Sequence, residues 1–199
     1  MERPFSASCE RNWKPIHDVL NEFVSKERAQ VSLFEIGSGT GQHAAYISKE
    51  IPSLIWQTSD LEEGLPALRQ WTDEVDGLPA PVSFEVGKDK ELPKIKIDYV
   101  FSSNVIHIMN WKLVKTLFKT LGKSLRSGKL VFFYGPFNYH GDFTSEGNKN
   151  LDIWLKENFK GSGVRNFEDI SEHMTRNGFI LEEDREMPAN NRMLIFKKV

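Results

Sequence analysis

A single cysteine, Cys9, stands in 199 residues, which excludes an internal disulfide and any zinc site built on several cysteines. Long apolar runs are missing too: no stretch approaches the roughly 18 consecutive apolar residues that a membrane-spanning helix needs. Residues 1–16, MERPFSASCERNWKPI, lack the apolar core of a secretory signal and the composition of a transit peptide. A reducing, cytoplasmic location is therefore expected, with no membrane partner. Charge of one sign is equally scarce. The 26 basic residues face 28 acidic ones for a net charge of −2, and no long block of like charge occurs. That weighs against a nucleic-acid partner, which needs a positive footprint. The five histidines are never paired at metal-ligand spacing, so no metal is expected. No repeat, low-complexity tract or long linker breaks the chain, and 1–199 is read as one domain of ordinary globular composition. Oligomeric state is not legible.

What is present is an alternation of apolar runs and helical stripes, the sequence form of βαβ units and a mostly parallel sheet. A helix is expected over 13–28, from Ile16, Val19, Leu20 and Phe23. Strands follow at 31–36, 54–59, 82–86, 98–103 and 129–135, the last apolar throughout like a strand covered on both faces. Helices are expected at 41–50 and 65–75, and one built on Val114, Leu117, Phe118, Leu121 and Leu125 stops before Gly128. Two more lie at 149–158 and 166–177, the second capped by Asn166. The strands 179–184 and 192–198, joined by a short loop, should form an antiparallel edge hairpin. The stretch KDKELPKIKID (88–98) reads as a solvated loop.

The chemistry concentrates in LFEIGSGTGQHAAYISKE (33–50), with Gly37, Gly39 and Gly41 between strand and helix. A phosphate-cradling P-loop would need Gly and Lys where Gln42 and His43 stand, and that reading fails. The dinucleotide fingerprint wants its third glycine at Gln42, one residue later than Gly41 supplies it. That reading is weakened, and an NAD(P)-dependent oxidoreductase remains an alternative. The pattern Glu35-x-Gly37-x-Gly39-x-Gly41 resembles motif I of class I S-adenosylmethionine-dependent methyltransferases. Bare backbone at the glycines lets a ligand approach where a Cβ would intervene. Asp60, at the end of the second strand, is placed to accept both hydroxyls of a ribose, which either cofactor would offer.

Further stretches resemble a narrower group, the methyltransferase-like protein 26 family: Arg11-Asn12, GSGTGQHA (37–44), WQTSD (56–60), NVIHIMNW (104–111), YGPF (134–137), GVR (163–165) and MPANN (187–191). The resemblance covers nearly the whole chain. It implies the Rossmann-like class I methyltransferase fold, a seven-stranded sheet of order 3-2-1-4-5-7-6, and S-adenosyl-L-methionine as cofactor. The chain departs from the family at Thr58 and Asn110, where proline is usual, and at Glu85, where aspartate is usual.

In an open α/β sheet the ligand lies beyond the carboxyl ends of the strands, where these motifs fall. The resemblance assigns cofactor contacts to Arg11, Asn12, Glu35, Gly37, Ser38, Gly39, Gly41, His43, Asp60, Glu85, Val86, Ser103 and Asn104. Arg11 and Asn12 would act as an N-terminal lid, with Arg11 facing a carboxylate. His43, in the first turn of the glycine helix, is read as fixing the loop more than moving protons. On the acceptor side, His107 is the candidate base or substrate contact, or packs beneath Trp111; Asn104 accompanies it. Asn190 and Asn191 either hydrogen-bond substrate or supply turn chemistry. Arg165 leads into a helix descending from the same face. Phe137 and Tyr139 are expected to line the crevice, and Trp56, Trp71 and Trp154 to pack. The expected function is methyl transfer to a small-molecule acceptor, the alternative within the same binding reading being a non-catalytic S-adenosylmethionine binder.

Overall fold

Short apolar runs buried on both faces set the architecture, with β-strands of four to six residues carrying it. The computed structural model describes residues 3–199. It divides into two compact units, one running to Glu85 and resuming at Ile95–Phe101, the other comprising Val86–Lys94 and Ser102–Val199.

The first unit contains α1 (Ala7–Val24), β1 (Val31–Glu35), α2 (Gln42–Glu50), β2 (Leu54–Gln57), β3 (Ser59–Asp60), α3 (Leu65–Thr72), β4 (Val82–Ser83) and the start of β5 (Tyr99–Ser103). Strand β1 is buried along its whole length and pairs in parallel with β2, Val31 opposite Leu54, and with β5, Leu33 opposite Tyr99. Helix α1 begins and ends earlier than the apolar stripe predicts. The side chain of Ser6 caps it by accepting from the Cys9 amide, so the helix forms ahead of Pro15 and tolerates that proline inside. The second expected strand breaks at Thr58 into β2 and β3. Its continuation β3 pairs with β4, through Val82 N–H to Thr58 O and Phe84 N–H to Asp60 O. The third expected strand, 82–86, is thus a two-residue ladder outside the main sheet, which among the described residues has six strands and not seven.

The second unit holds the end of β5, then α4 (Val105–Ile108), α5 (Trp111–Ser124), β6 (Leu130–Gly135), β7 (Phe137–Asn138), α6 (Glu146–Asn158), β8 (Arg165–Asn166), α7 (Phe167–Arg176), β9 (Phe179–Met187) and β10 (Asn191–Lys198). Strand β6 is fully buried, and β10 runs antiparallel to it, Met193 opposite Tyr134, and to β9, Met193 opposite Arg185. The edge strand β9 carries Glu182, Glu183, Asp184, Arg185 and Glu186 in succession, a charged edge that discourages pairing with another chain. The fold is α/β, mostly parallel, with antiparallel C-terminal strands.

Caps explain most boundaries. The side chain of Asn110 accepts from the Leu113 amide at 3.0 Å and starts α5. Ser145 accepts from Asn148 N at 3.1 Å, which starts α6 three residues before the expected 149. The side chain of Asn166 reaches Asp169 Oδ2 and leaves the backbone of α7 uncapped, contrary to the expected capping role. Among the tryptophans, Trp56 is completely buried, but Trp154 is 51% exposed and does not pack in the core.

Gly122 lies in the last turn of α5, where alanine would still favour the helix by up to about 1 kcal/mol. A Cβ there would meet the Asn177 backbone oxygen at 2.6 Å, which no side-chain rotation relieves. Gly122→Ala is expected to lower stability by about 1–3 kcal/mol in denaturant unfolding, the clash outweighing the propensity gain.

Candidate functional site

The glycine loop of the first unit leaves β1 with Gly37, Gly39 and Gly41 at φ 69°, 56° and 84°, all in the left-handed region that a side chain resists. Two of them do different work. A Cβ on Gly41 would lie 2.6 Å from Leu68 Cδ1 and 3.3 Å from the Leu68 carbonyl oxygen, so close packing on α3 adds to its backbone requirement. At Gly39 a Cβ would meet nothing within 4 Å. That position faces open space.

Side chains tie the loop down. Gly39 N–H donates to Asp60 Oδ2 at 2.7 Å and Leu61 N–H to Asp60 Oδ1 at 2.8 Å, so each carboxylate oxygen keeps a further acceptor position. Ser38 N–H donates to Ser59 O at 2.8 Å, and Ser59 N–H returns a bond to Ser38 Oγ at 3.1 Å. Ser59 Oγ–H bonds Glu35 O at 2.6 Å. Gln42, buried completely, takes hydrogen bonds from Ser6 N–H and from Thr40 Oγ–H. It occupies the place of the missing fingerprint glycine and anchors the start of α1 to the glycine helix. Arg11 is exposed on α1 and forms no ion pair among the described residues; Asn12 beside it is half-buried. Glu85 is exposed just past β4, and Val86 forms an isolated bridge with Asp89.

In the second unit the ends of β5 and β6 bring Asn104 and His107 together over Gly135. Asn104 is left-handed at φ 61°, and its N–H donates to Tyr134 O at 2.8 Å while its side chain reaches Ser103 Oγ at 3.3 Å. A Cβ on Gly135 would lie 2.6 Å from His107 Nε2 and 3.0 Å from Asn104 Oδ1, so only glycine leaves room for both. His107 is 2% exposed, neither ring nitrogen has a hydrogen-bond partner among the described residues, and its ring meets Phe137 edge-on at 5.0 Å. Phe137, expected to line the crevice, is itself fully buried.

The motif 163–165 supports this corner. Gly163 N–H donates to His107 O at 2.9 Å, and Val164 N–H to Asp152 Oδ1 at 2.9 Å. The Arg165 guanidinium donates to the carbonyls of Ile106, Met109 and Gly161. It also lies over the Trp111 ring at 5.5 Å. Arg165 is a clamp on α4. The MPANN turn places Ala189 and Asn190 at φ 59° and 56°, held by Asn148 Nδ2 donating to Asn190 O at 3.1 Å. Asn191 Nδ2 donates to Pro188 O, so both asparagines take part in the turn. They also line a cavity of about 380 Å³ with Tyr139, Thr144, Glu186 and Arg192. Tyr139 is fixed there by donating to Asp184 Oδ2 at 2.7 Å.

The DUF938 family model, described as a protein family of unknown function, matches residues 3–198. The chain belongs to DUF938. Its fold matches solved methyltransferases at low sequence identity. The mitomycin 7-O-methyltransferase MmcR superposes with a TM-score of 0.75 at 13% identity, covering 85% of this chain and 49% of that one. An O-methyltransferase family protein from Burkholderia thailandensis gives 0.76 at 16% identity, covering 93% and 55%. Human N-acetylserotonin methyltransferase, solved with SAM, gives 0.73 at 13% identity, covering 94% and 54%. This DUF938 chain spans about half the length of the structures it matches. No helix among its described residues is long and apolar enough to cross a membrane.

Burial governs the charges in this DUF938 chain. Glu35, accepting from Trp56 Nε1–H at 2.9 Å, is 1% exposed, and desolvation raises its pKa to about 7. His43 Nδ1 stands 3.9 Å from Glu35 Oε1, yet desolvation lowers the histidine to about 4. His107 is lowered to about 3, by burial first and by the Arg165 charge second. Two expectations about stability follow with opposite signs. The folded state holds a proton on Glu35 that the unfolded chain releases above about pH 4.5, so stability falls as pH rises from there to about 7. The folded state keeps both histidines neutral while the unfolded chain protonates them below about 6.5, so stability also falls as pH drops from 6.5. Glu35→Gln removes the first effect: its melting temperature should exceed wild type at pH 8, by on the order of 3 kcal/mol in stability, with the gap closing towards pH 4.5. Equal melting temperatures at pH 8 would contradict a raised Glu35 pKa. For the loop, Gly41→Ala should cost more stability than Gly39→Ala, because both pay about 1–2 kcal/mol for a left-handed Cβ but only Gly41 also clashes.

Proposed function

We propose that the chain is an S-adenosylmethionine-dependent methyltransferase of the methyltransferase-like protein 26 family, acting on a small-molecule acceptor. The observation that carries this reading is Gly39: left-handed, open in front, and bonded through its amide to a carboxylate with acceptor positions to spare. Asp60 would hold the ribose hydroxyls, while bare main chain at Gly37 and Gly39 would lie against the methionine portion. The bound cofactor supplies an electrophilic methyl on a positive sulfur, already a good leaving group. The residues' task is then alignment and exclusion of water, worth several kcal/mol. Glu35, its pKa raised by burial and its carboxyl bonded to Trp56, supports the strand that leads into the loop.

On the acceptor side we assign Asn104 and His107 to orienting the nucleophile, and Asn190 and Asn191 to the polar wall of the hairpin cavity. A histidine held to about 3 is a weak base, so His107 acts as a hydrogen-bonding imidazole. A soft or already ionised nucleophile suits such a site.

Calorimetric titration with S-adenosylmethionine, its demethylated product and NAD tests the cofactor. The sulfonium and its product should bind, and Asp60→Ala should weaken them by about 1–3 kcal/mol through lost charge-assisted hydrogen bonds. Tighter binding of NAD would replace this reading with the oxidoreductase one. Incubation with methyl-labelled cofactor and a small-molecule extract, followed by mass spectrometry, separates an enzyme from a binder that transfers nothing.

A further inference from the structure

Helix α5 carries Lys112, Lys115, Lys119 and Lys123 and not one acidic residue. Elsewhere the chain relieves exposed cations one turn away: Lys26 with Glu22, Lys149 with Glu146, and Lys156 with Asp152. Lys112, Lys115 and Lys119 are exposed and form no ion pair among the described residues. Their spacings of three and four put like charges side by side on one face, an arrangement that opposes the helix. An amphipathic helix needs a polar outer face, but it does not need a purely basic one in a chain whose net charge is −2.

The lysines line one side of an open groove. With His173 and Arg176 of α7 and Asn177 just past its end they line a cavity of about 430 Å³; Glu172 pairs with Arg176 at 2.5 Å, so the lysines are the cations this groove leaves without an ion pair among the described residues. Its walls are set closely. Gly122 of α5 approaches the Asn177 backbone too tightly for a Cβ, and Trp111 meets the His173 ring edge-on at 5.4 Å. The Asn177 side chain donates to His173 O at 2.7 Å, which fixes the α7 end of the wall.

We propose that this groove between α5 and α7 is a binding site for a small polyanion carrying two or more linked phosphate groups. Lysine ammonium groups act as point charges for phosphate oxygens, and the Lys112–Lys119 stripe is roughly 10 Å long, short for a duplex but enough for a chain of phosphates. The concavity favours a compact ligand over an extended acidic peptide, which would want a longer stripe. The site belongs to the second unit alone and does not depend on the methyl-transfer reading.

The test is titration of the full chain with sodium tripolyphosphate by calorimetry at about 50 and about 200 mM salt. Wild type, Lys115→Gln/Lys119→Gln and, as a control outside the lining, Lys94→Gln are compared. Saturable binding is expected, several-fold weaker at the higher salt, at least tenfold weaker in the double variant and unchanged in the control. The double variant should melt at or above the wild-type temperature, since it removes repulsion, and tripolyphosphate should raise only the wild-type and control values. No saturable binding, equal affinity in the double variant, or tighter binding of a short polyglutamate peptide would each overturn the proposal, the last by making the groove a protein-docking face.

Discussion

The hydrogen bond from Gly39 N–H to Asp60 is the contact around which the first unit is arranged. It joins a loop that has left β1 to the end of β3. For it to form, the second strand has to step at Thr58, the Ser38–Ser59 bonds have to close, and Asp60 has to be turned by Leu61 N–H. Gly64 completes the setting, because a Cβ there would press on Asp60 Oδ1 at 3.1 Å. A charge-assisted bond of this kind is worth roughly 1.5–3 kcal/mol, comparable with the left-handed strain at the loop's glycines. The carboxylate both organises the loop and keeps acceptor capacity for a ligand.

A comparable economy holds at the start of α4. Gly135 supplies absent volume, Arg165 satisfies three carbonyls, and Gly163 satisfies the carbonyl of His107. What remains unsatisfied is the imidazole itself, buried with two unpartnered nitrogens. Buried polar atoms are normally paired, and an exception costs stability unless water or a ligand completes it. The strained Asn104 backbone belongs to the same corner, consistent with strain collecting where function is carried.

Much of this was legible in the sequence because local chemistry decided it. Fully apolar strands, the stripe of α5 and the glycine spacing left few alternatives, whereas the packing of Gly41 on Leu68 was not legible, because Leu68 comes from another helix. The misses have physical causes. Helix α1 starts early because a Ser6 cap and the contacts of Gln42 and Tyr46 with its first turns act across 36 residues, beyond any local window. The third strand shrinks because its partner steps out of the main sheet at Thr58. The sequence places Arg165 only ahead of a helix descending from the crevice face, and the fold shows that three carbonyls converge on it. Gly135 gave no signal of its own beyond lying in YGPF, since a close approach depends on the side chains that arrive from elsewhere.

The most direct measurement is amide NMR of the full chain titrated with S-adenosylmethionine and, separately, with NAD. If bare main chain in the glycine loop receives an adenosyl sulfonium, the amides of Gly37, Gly39 and Leu61 should show the largest shifts with S-adenosylmethionine and little change with NAD. Shifts confined to other parts of the chain, or a loop that responds only to NAD, would contradict that claim.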